Sequence, residues 1–186
     1  LVLVASPLLA GPPWISVELP SNPHHPATRD ALFLVHAYHH DASIAAQLAG
    51  TAEGLVDGKR RSLPLAIAPT SRAGVYAVRG DVPRSGAWVL VLTLAQGAES
   101  TATALVRLGR DGTVAGVTVP SDRSADGWTV PRAVQASDVD AALRDVARIA
   151  ALETASAATS HFAIAGLAGI PLVLLMVGLA RSRRPS

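Results

Sequence analysis

The sequence predicts an all-β domain that is followed by one amphipathic helix and one membrane-spanning helix. Three observations lead to this fold class: apolar runs alternate with turn residues over residues 14–132, residues 162–180 carry no charge, and three arginines follow that uncharged segment. The first observation indicates a two-sheet β-sandwich of about seven strands. The second indicates a transmembrane helix, and the third indicates its orientation.

The chain begins with an apolar run, LVLVASPLLA, that ends in small residues. Such a run is typical of the second half of a secretory signal, with cleavage after Ala10. Residues 1–10 are therefore predicted to be the end of a signal peptide. The alternative is a first β-strand of the domain itself.

Seven short apolar runs between residues 14 and 132 are predicted to be strands. In the first run, Val17 and Leu19 alternate with polar neighbours, which is the period of a half-buried strand. The turn dipeptides Asp57-Gly58 and Asp111-Gly112 favour hairpins. The predicted strands are Trp14–Leu19, Ala31–Tyr38, Ser62–Ala68, Gly74–Arg79, Ala87–Ala95, Thr101–Leu108 and Thr113–Val119.

One stretch resembles a known family. Gly74-Val75-Tyr76 leads through Pro83 to the run GAWVLVL at residues 86–92, in the pattern GxY…P…GxWxLxL. This pattern resembles membrane-anchored, immunoglobulin-like envelope proteins of the FixH and YtkA-like kind. The resemblance implies an immunoglobulin-like β-sandwich, with a role in cytochrome oxidase maturation or copper handling, and it carries over no functional residue. FixH-like proteins usually carry their membrane helix first, whereas this chain carries it last.

A helix is predicted at residues 137–153. Ser137 is a suitable cap, and Asp140 three residues later completes a capping-box pattern. The helix either packs on the sandwich or acts as a stalk, and residues 154–161 form a linker of small residues. The residues expected on its apolar face are Val139, Ala142, Leu143, Val146, Ile149 and Ala150.

The segment 162–180, FAIAGLAGIPLVLLMVGLA, is predicted to bind the lipid bilayer as a transmembrane helix. At ~1.5 Å per residue it would span roughly 28 Å, close to the ~30 Å hydrocarbon core of a membrane. Pro171 would break a soluble helix but is tolerated in a membrane helix. The alternative is a buried core helix, which usually shows one polar face.

Positive side chains set the predicted orientation of this helix. Arg181, Arg183 and Arg184 follow it, and the nearest charge before it is Glu153. Because positive residues prefer the cytoplasmic side, residues 181–186 are predicted to be a cytoplasmic tail and the β-domain to lie outside, periplasmic or extracellular. The rest of the chain carries 13 basic and 14 acidic side chains, so it has no excess of positive charge. The chain is therefore not expected to bind nucleic acid.

The histidines form the polar cluster that most resembles a metal site. Five of the six lie within residues 24–40, and imidazole is the commonest ligand for zinc and copper(II). The first two lie near the opposite end of the predicted strand Ala31–Tyr38 from the others. The better group is therefore His36, His39 and His40, with Asp41 as a further ligand. The alternative is a solvated loop rich in histidine.

No catalytic motif is found: the chain has no GxSxG, HExxH, SxxK or glycine-rich phosphate loop, and no cysteine. We therefore expect a non-enzymatic interaction or accessory module that binds another membrane or envelope protein and needs no cofactor. The alternative is a copper or zinc handling module of the envelope. A hydrolase with an unrecognised site is the third hypothesis.

Overall fold

The computed structural model describes residues 12–19, 24–26, 28–97 and 100–155. These residues form twelve β-strands and one helix, α1, which covers residues 136–155. The chain is therefore mostly β, as predicted. The strands are β1 (Trp14–Glu18), β2 (Phe33–His39), β3 (Ala42–Ser43), β4 (Gln47–Val56), β5 (Lys59–Pro64), β6 (Ala66–Pro69), β7 (Val75–Arg79), β8 (Ala87–Gln96), β9 (Ser100–Leu108), β10 (Val114–Thr118), β11 (Ser121–Arg123) and β12 (Thr129–Pro131).

Ten of these strands form two five-stranded antiparallel sheets. Sheet A has the order β1-β2-β7-β6, with β3 paired to β2, and sheet B has the order β10-β9-β8-β4-β5. Strands β11 and β12 form a separate two-stranded hairpin. The chain passes back and forth between the sheets, because β1–β3 and β6–β7 belong to sheet A whereas β4–β5 and β8–β10 belong to sheet B.

The two sheets share one apolar core. Phe33 and Val35 of β2 belong to the same buried cluster as Leu90 and Leu92 of β8. Successive side chains of a strand point to opposite faces, so every second residue of each strand faces this core. Burial of each of these side chains stabilises the fold by about 1.5–3 kcal/mol.

Two hairpins form where the turn dipeptides predict them. Asp57 and Gly58 connect β4 to β5, and both have positive φ, at 50° and 73°. Glycine tolerates this region and aspartate is one of the few other residues that enters it. Gly112, with φ of 82°, lies in the turn between β9 and β10.

Strand β4, which lies between β8 and β5, was not predicted from the sequence. Its sequence, QLAGTAEGLV, contains two glycines and few β-branched residues, so its strand propensity is low. Packing explains one of these glycines. A Cβ atom at Gly54 would lie 2.5 Å from the Trp88 ring, so only glycine allows the ring to approach the strand this closely.

The predicted strand Ser62–Ala68 is wrong as a single element, because the chain passes from sheet B to sheet A within it. Strand β5 ends at Pro64 and β6 begins at Ala66. Proline is tolerated here because β5 is the outermost strand of sheet B. The short strands β3, β11 and β12 were not predicted either.

Helix α1 packs on the outer face of sheet B. Val139, Leu143 and Val146 are buried against residues of β8 and β9. This contact favours the packed alternative over the stalk. The predicted apolar face is not buried throughout, since Ile149 is 41% exposed.

The helix begins earlier than its predicted cap. Ser137 already lies inside α1, which starts at residue 136. The backbone N–H of Gln135 donates to Oδ2 of Asp138 over 2.8 Å, so Asp138 and not Asp140 completes the cap. Asp140 instead accepts a hydrogen bond from Arg60 of β5.

The chain divides into two compact units, Leu1–Ala147 and Arg148–Ser186. All contacts described above lie in the first unit. In the second unit, the structure describes only residues 148–155, which are helical. Within the part of the chain that the structure describes, no helix has both the length and the apolar character required to cross a membrane. The predicted signal peptide, the span 162–180, the tail 181–186 and residues 156–161 of the linker lie outside the described residues.

Candidate functional site

The three histidines predicted to bind metal lie on β2 and in the turn that follows it. His39 is the last residue of β2, and His40 follows in a turn with a positive φ of 52°. Their rings stack, with centroids 4.6 Å apart. Because His36 and His39 are three residues apart on a strand, they point to opposite faces of sheet A. The fold therefore brings His39 and His40 together and directs His36 elsewhere.

Among the described residues, no group of three or more histidine, cysteine, aspartate or glutamate side chains is arranged to hold a metal ion. His40 would share the face of His36 only if β2 continued through residue 40. It ends at His39. A copper or zinc site at these histidines stays a prediction.

His36 instead belongs to a row of polar and aromatic side chains on the outer face of sheet A. Its Nε2 lies 2.5 Å from Oε2 of Glu18 on β1, and its Nδ1 lies 3.4 Å from the Tyr38 hydroxyl. Trp14 of β1 stacks on Tyr38 with the ring centroids 4.5 Å apart. The antiparallel register of β1 and β2 places these four residues on one face.

Arg72, in the loop between β6 and β7, extends this row. Its Nη2 lies 3.2 Å from the same Oε2 of Glu18. The hydrogen bond from His36 and the Arg72 guanidinium together hold the pKa of Glu18 below its ordinary value, although burial opposes them. The carboxylate is therefore ionised at neutral pH.

A second candidate surface lies on the β11–β12 hairpin. Trp128 is 75% exposed, more than any other large apolar side chain in the described ranges. Three further exposed valines lie within the same stretch of chain: Val117, Val119 and Val130. A large exposed aromatic side chain is typical of a surface that binds another molecule.

Backbone hydrogen bonds hold Trp128 in a defined position. The N–H of Ser124 donates to the carbonyl of Trp128 over 2.8 Å, and the N–H of Trp128 donates to the Ser124 hydroxyl over 3.1 Å. Gly127 makes the tight turn between them with a φ of 84°. The indole is thus presented to solvent by an ordered turn.

Arg132 fixes this hairpin to helix α1. Its Nε donates to Asp122 of β11 over 3.0 Å, and its Nη1 and Nη2 donate to the two oxygens of Asp138 over 2.6 and 2.8 Å. The Arg132 contact, assisted by the Gln135 N–H, lowers the pKa of Asp138 to about 2. We call Arg132, Asp122 and Asp138 the arginine clamp.

The residues of the GxY…P…GxWxLxL pattern have structural roles in this fold. Trp88 is buried on β8, and its indole N–H donates to the Ser85 carbonyl over 2.8 Å. Tyr76 is buried on β7, and its hydroxyl donates to the Ala46 carbonyl over 2.6 Å. Neither side chain is available to a ligand.

The chain matches no protein-family model, no curated protein and no solved structure. The resemblance to the FixH and YtkA-like proteins therefore stays a prediction, as does the expectation that the chain is not an enzyme.

Neither surface was predicted from the sequence. A tryptophan between a turn glycine and a short strand is a weak signal for an exposed anchor, and Trp128 fits it. Glu18, His36 and Arg72 lie too far apart in sequence for any motif to join them, since Glu18 and Arg72 are 54 residues apart.

Proposed function

We propose that this chain is a single-pass, membrane-anchored envelope protein whose immunoglobulin-like β-sandwich acts outside the membrane as a non-enzymatic interaction module. Its partner is another membrane or envelope protein. The observation that carries the proposal is the exposure of Trp128. Its side chain is 75% exposed, on a hairpin that the arginine clamp holds in place.

Energetics favour Trp128 as a binding anchor. A tryptophan side chain buries about 150–250 Å² when it is fully covered, and burial contributes roughly 25 cal/mol per Å² of apolar surface. Because most of the Trp128 side chain is open to solvent, a partner that covered it would gain on the order of 3–4 kcal/mol. Residues of this kind dominate the binding energy of many interfaces.

The arrangement of the hairpin lowers the entropic cost of binding. Trp128 is held by both of its backbone hydrogen bonds to Ser124, so a partner orders little more than the indole side chain. Rigid presentation of a side chain in its bound conformation increases affinity mainly by reducing this cost.

The anchor and the sandwich are supported by different observations. Residues 162–180 have the length and composition of a transmembrane helix, and the following arginines favour a cytoplasmic C-terminus. The immunoglobulin-like assignment is supported by two antiparallel sheets that share a core and by Tyr76 and Trp88 within that core.

Copurification tests the proposal. The full chain is cross-linked in membranes, extracted in detergent and analysed for stoichiometric partners. Trp128→Ala is expected to lose the partner, whereas Trp14→Ala, which removes a tryptophan from sheet A, is expected to keep it. If the chain always runs alone, or if both variants recover the same partner equally, the proposal is wrong.

Fractionation tests the anchor separately. The full chain is expected in the membrane pellet after lysis and ultracentrifugation, and detergent should release it. A chain truncated after residue 160 should stay in the supernatant. Recovery of the full chain in the supernatant without detergent would contradict the membrane assignment.

A further inference from the structure

A cleft of about 300 Å³ opens on the outer face of sheet A, beside the row formed by Glu18 and His36. Leu34, which is buried, contributes an apolar part of its lining. The polar lining residues are Glu18, His25, Thr28, Thr70, Ser71 and Arg72.

The formal charges of this cleft cancel. Glu18 supplies one negative charge and Arg72 one positive charge, and the two are already paired at 3.2 Å. An anion would meet the Glu18 carboxylate, and a cation would meet the Arg72 guanidinium. The pair therefore disfavours ions of either sign and favours a neutral, polar ligand.

Both groups keep hydrogen-bonding capacity. The contacts from His36 and Arg72 end on Oε2 of Glu18, and no described residue donates to its Oε1. Arg72 uses only Nη2 in its bond to Glu18, and a guanidinium has five N–H donors. The cleft thus presents a free acceptor directly beside free donors.

Arg72 is also positioned in advance. Its backbone N–H donates to the Thr70 hydroxyl over 3.2 Å, and that hydroxyl lies 3.4 Å from the Arg72 carbonyl. This local turn fixes the backbone that carries the guanidinium, while His36 fixes the carboxylate from the other side. Groups held in this way lose little conformational entropy when a ligand binds.

We propose that this cleft binds one sugar residue of a neutral glycan. Neighbouring hydroxyls of a sugar each donate and accept, so they match the adjacent acceptor of Glu18 and donors of Arg72. The hydroxyl of Ser71 adds a further polar partner. The volume is at the lower end of the ~300–1,000 Å³ of small-molecule sites, which fits one residue.

This site is independent of the protein partner proposed for Trp128. The cleft lies on the outer face of sheet A, and the arginine clamp joins the β11–β12 hairpin to α1. Loss of sugar binding would leave the Trp128 proposal intact, and the reverse also holds.

Titration calorimetry with the full chain tests the proposal, in a detergent without a sugar headgroup. The probes are methyl glucoside, N-acetylglucosamine and trehalose, with inorganic phosphate, glycine and N-methylacetamide as comparison ligands. At least one sugar is expected to saturate the protein with a Kd of roughly 1–10 mM or tighter. Phosphate, glycine and the amide are expected to bind more weakly.

Three variants assign the binding to the cleft. Arg72→Gln and Glu18→Gln are expected to weaken sugar binding at least about tenfold, since each removes hydrogen bonds to a charged group. Arg60→Gln is the matched control, because Arg60 also pairs with carboxylates but lies outside the cleft. It is expected to leave the affinity unchanged.

Several outcomes overturn the proposal. One is that no sugar binds at all; another is that phosphate, glycine or the amide binds more tightly than every sugar. A third is that Arg60→Gln weakens binding as much as Arg72→Gln does. Ser71→Phe provides a second, steric test: it should block the cleft without removing a charge, and unchanged sugar binding in that variant would also count against the site.

Discussion

The outer faces of the two sheets differ in what covers them. On sheet B, Val89 and Leu105 point outward and are buried beneath helix α1. On sheet A, the outward residues include Trp14, Glu18 and His36, which are polar or aromatic and partly exposed. The outer face of sheet A also holds a small buried apolar cluster of Leu34, Val75 and Ala77. The side of this face that carries Trp14, Glu18 and His36 is polar or aromatic and reaches water, and we call it the open face.

The largest expected effect comes from removing the cover of sheet B. Leu143→Ala leaves a cavity between α1 and the sheet, and we expect it to lower the free energy of unfolding by about 2–5 kcal/mol. Urea denaturation of the full chain, followed by circular dichroism, measures this change. Leu152→Ala, on the same helix but 64% exposed, should change stability by less than about 0.5 kcal/mol. Equal effects would mean that α1 does not cover the sheet.

The ion pair on the covered face should matter more than the one on the open face. Asp145 of α1 pairs with Arg107 of β9 at 2.5 Å, and both side chains are about 30% exposed or less. We expect Asp145→Ala to cost about 1–3 kcal/mol, because it leaves a largely covered guanidinium without this partner.

Glu18→Gln on the open face is expected to cost about 0–1 kcal/mol, since the Glu18 side chain is 42% exposed. Both variants are compared with the wild-type chain by the same urea titration. If Glu18→Gln costs more than Asp145→Ala, the distinction between a structural face and an open face fails.

The arginine clamp makes the anchoring of α1 dependent on pH. The pKa of Asp138 is lowered to about 2 in the folded chain. Its contribution to the stability of the fold is therefore fully present above the ordinary aspartate pKa of about 4. It should be lost as the pH falls from about 4 through 2. The difference in Tm between the wild-type chain and Asp138→Asn is therefore expected to be constant at neutral pH and to shrink below pH ~4. A difference that persists unchanged at pH 2 would contradict this assignment.

A modest effect is expected at the edge of the open face. Trp14→Ala removes the stack on Tyr38 and the indole hydrogen bond to the His40 carbonyl, both at an exposed position. Such pairs contribute about 0.5–1.5 kcal/mol beyond burial, so a modest decrease in stability should follow. Tyr38→Ala should remove the same pair, and the double variant should be less unstable than the sum of the two. Strict additivity would show that the stack contributes nothing.

The sequence predicted those strands that carry an apolar run of their own. The bounds of β1, β2, β7, β8, β9 and β10 agree with prediction to within two residues. Strand β4 could not be predicted in this way, because Gly54 is required by the close approach of the Trp88 ring. Trp88 lies on the neighbouring strand β8, which is distant in sequence. Tertiary packing overrides local propensity there.

The candidate surfaces were harder to predict than the fold. Glu18, His36 and Arg72 meet only because of the register of β1 on β2 and the position of the loop after β6. The histidine cluster was visible in the sequence, but the alternation of β2 separates His36 from His39. Spacing along a chain therefore identified candidate residues without showing which of them converge.

The order in which the sheets take up their strands has a consequence for how fast the chain reaches its native state. Sheet A is complete at Arg79, but sheet B, which covers its apolar side, is complete only at Thr118. In a chain synthesised from its N-terminus, Phe33 and Val35 therefore remain without the core residues they pack against until β8 and β9 have been made. Folds that depend on such distant pairings reach their native state in about milliseconds to seconds, so this one should fold slowly for its size.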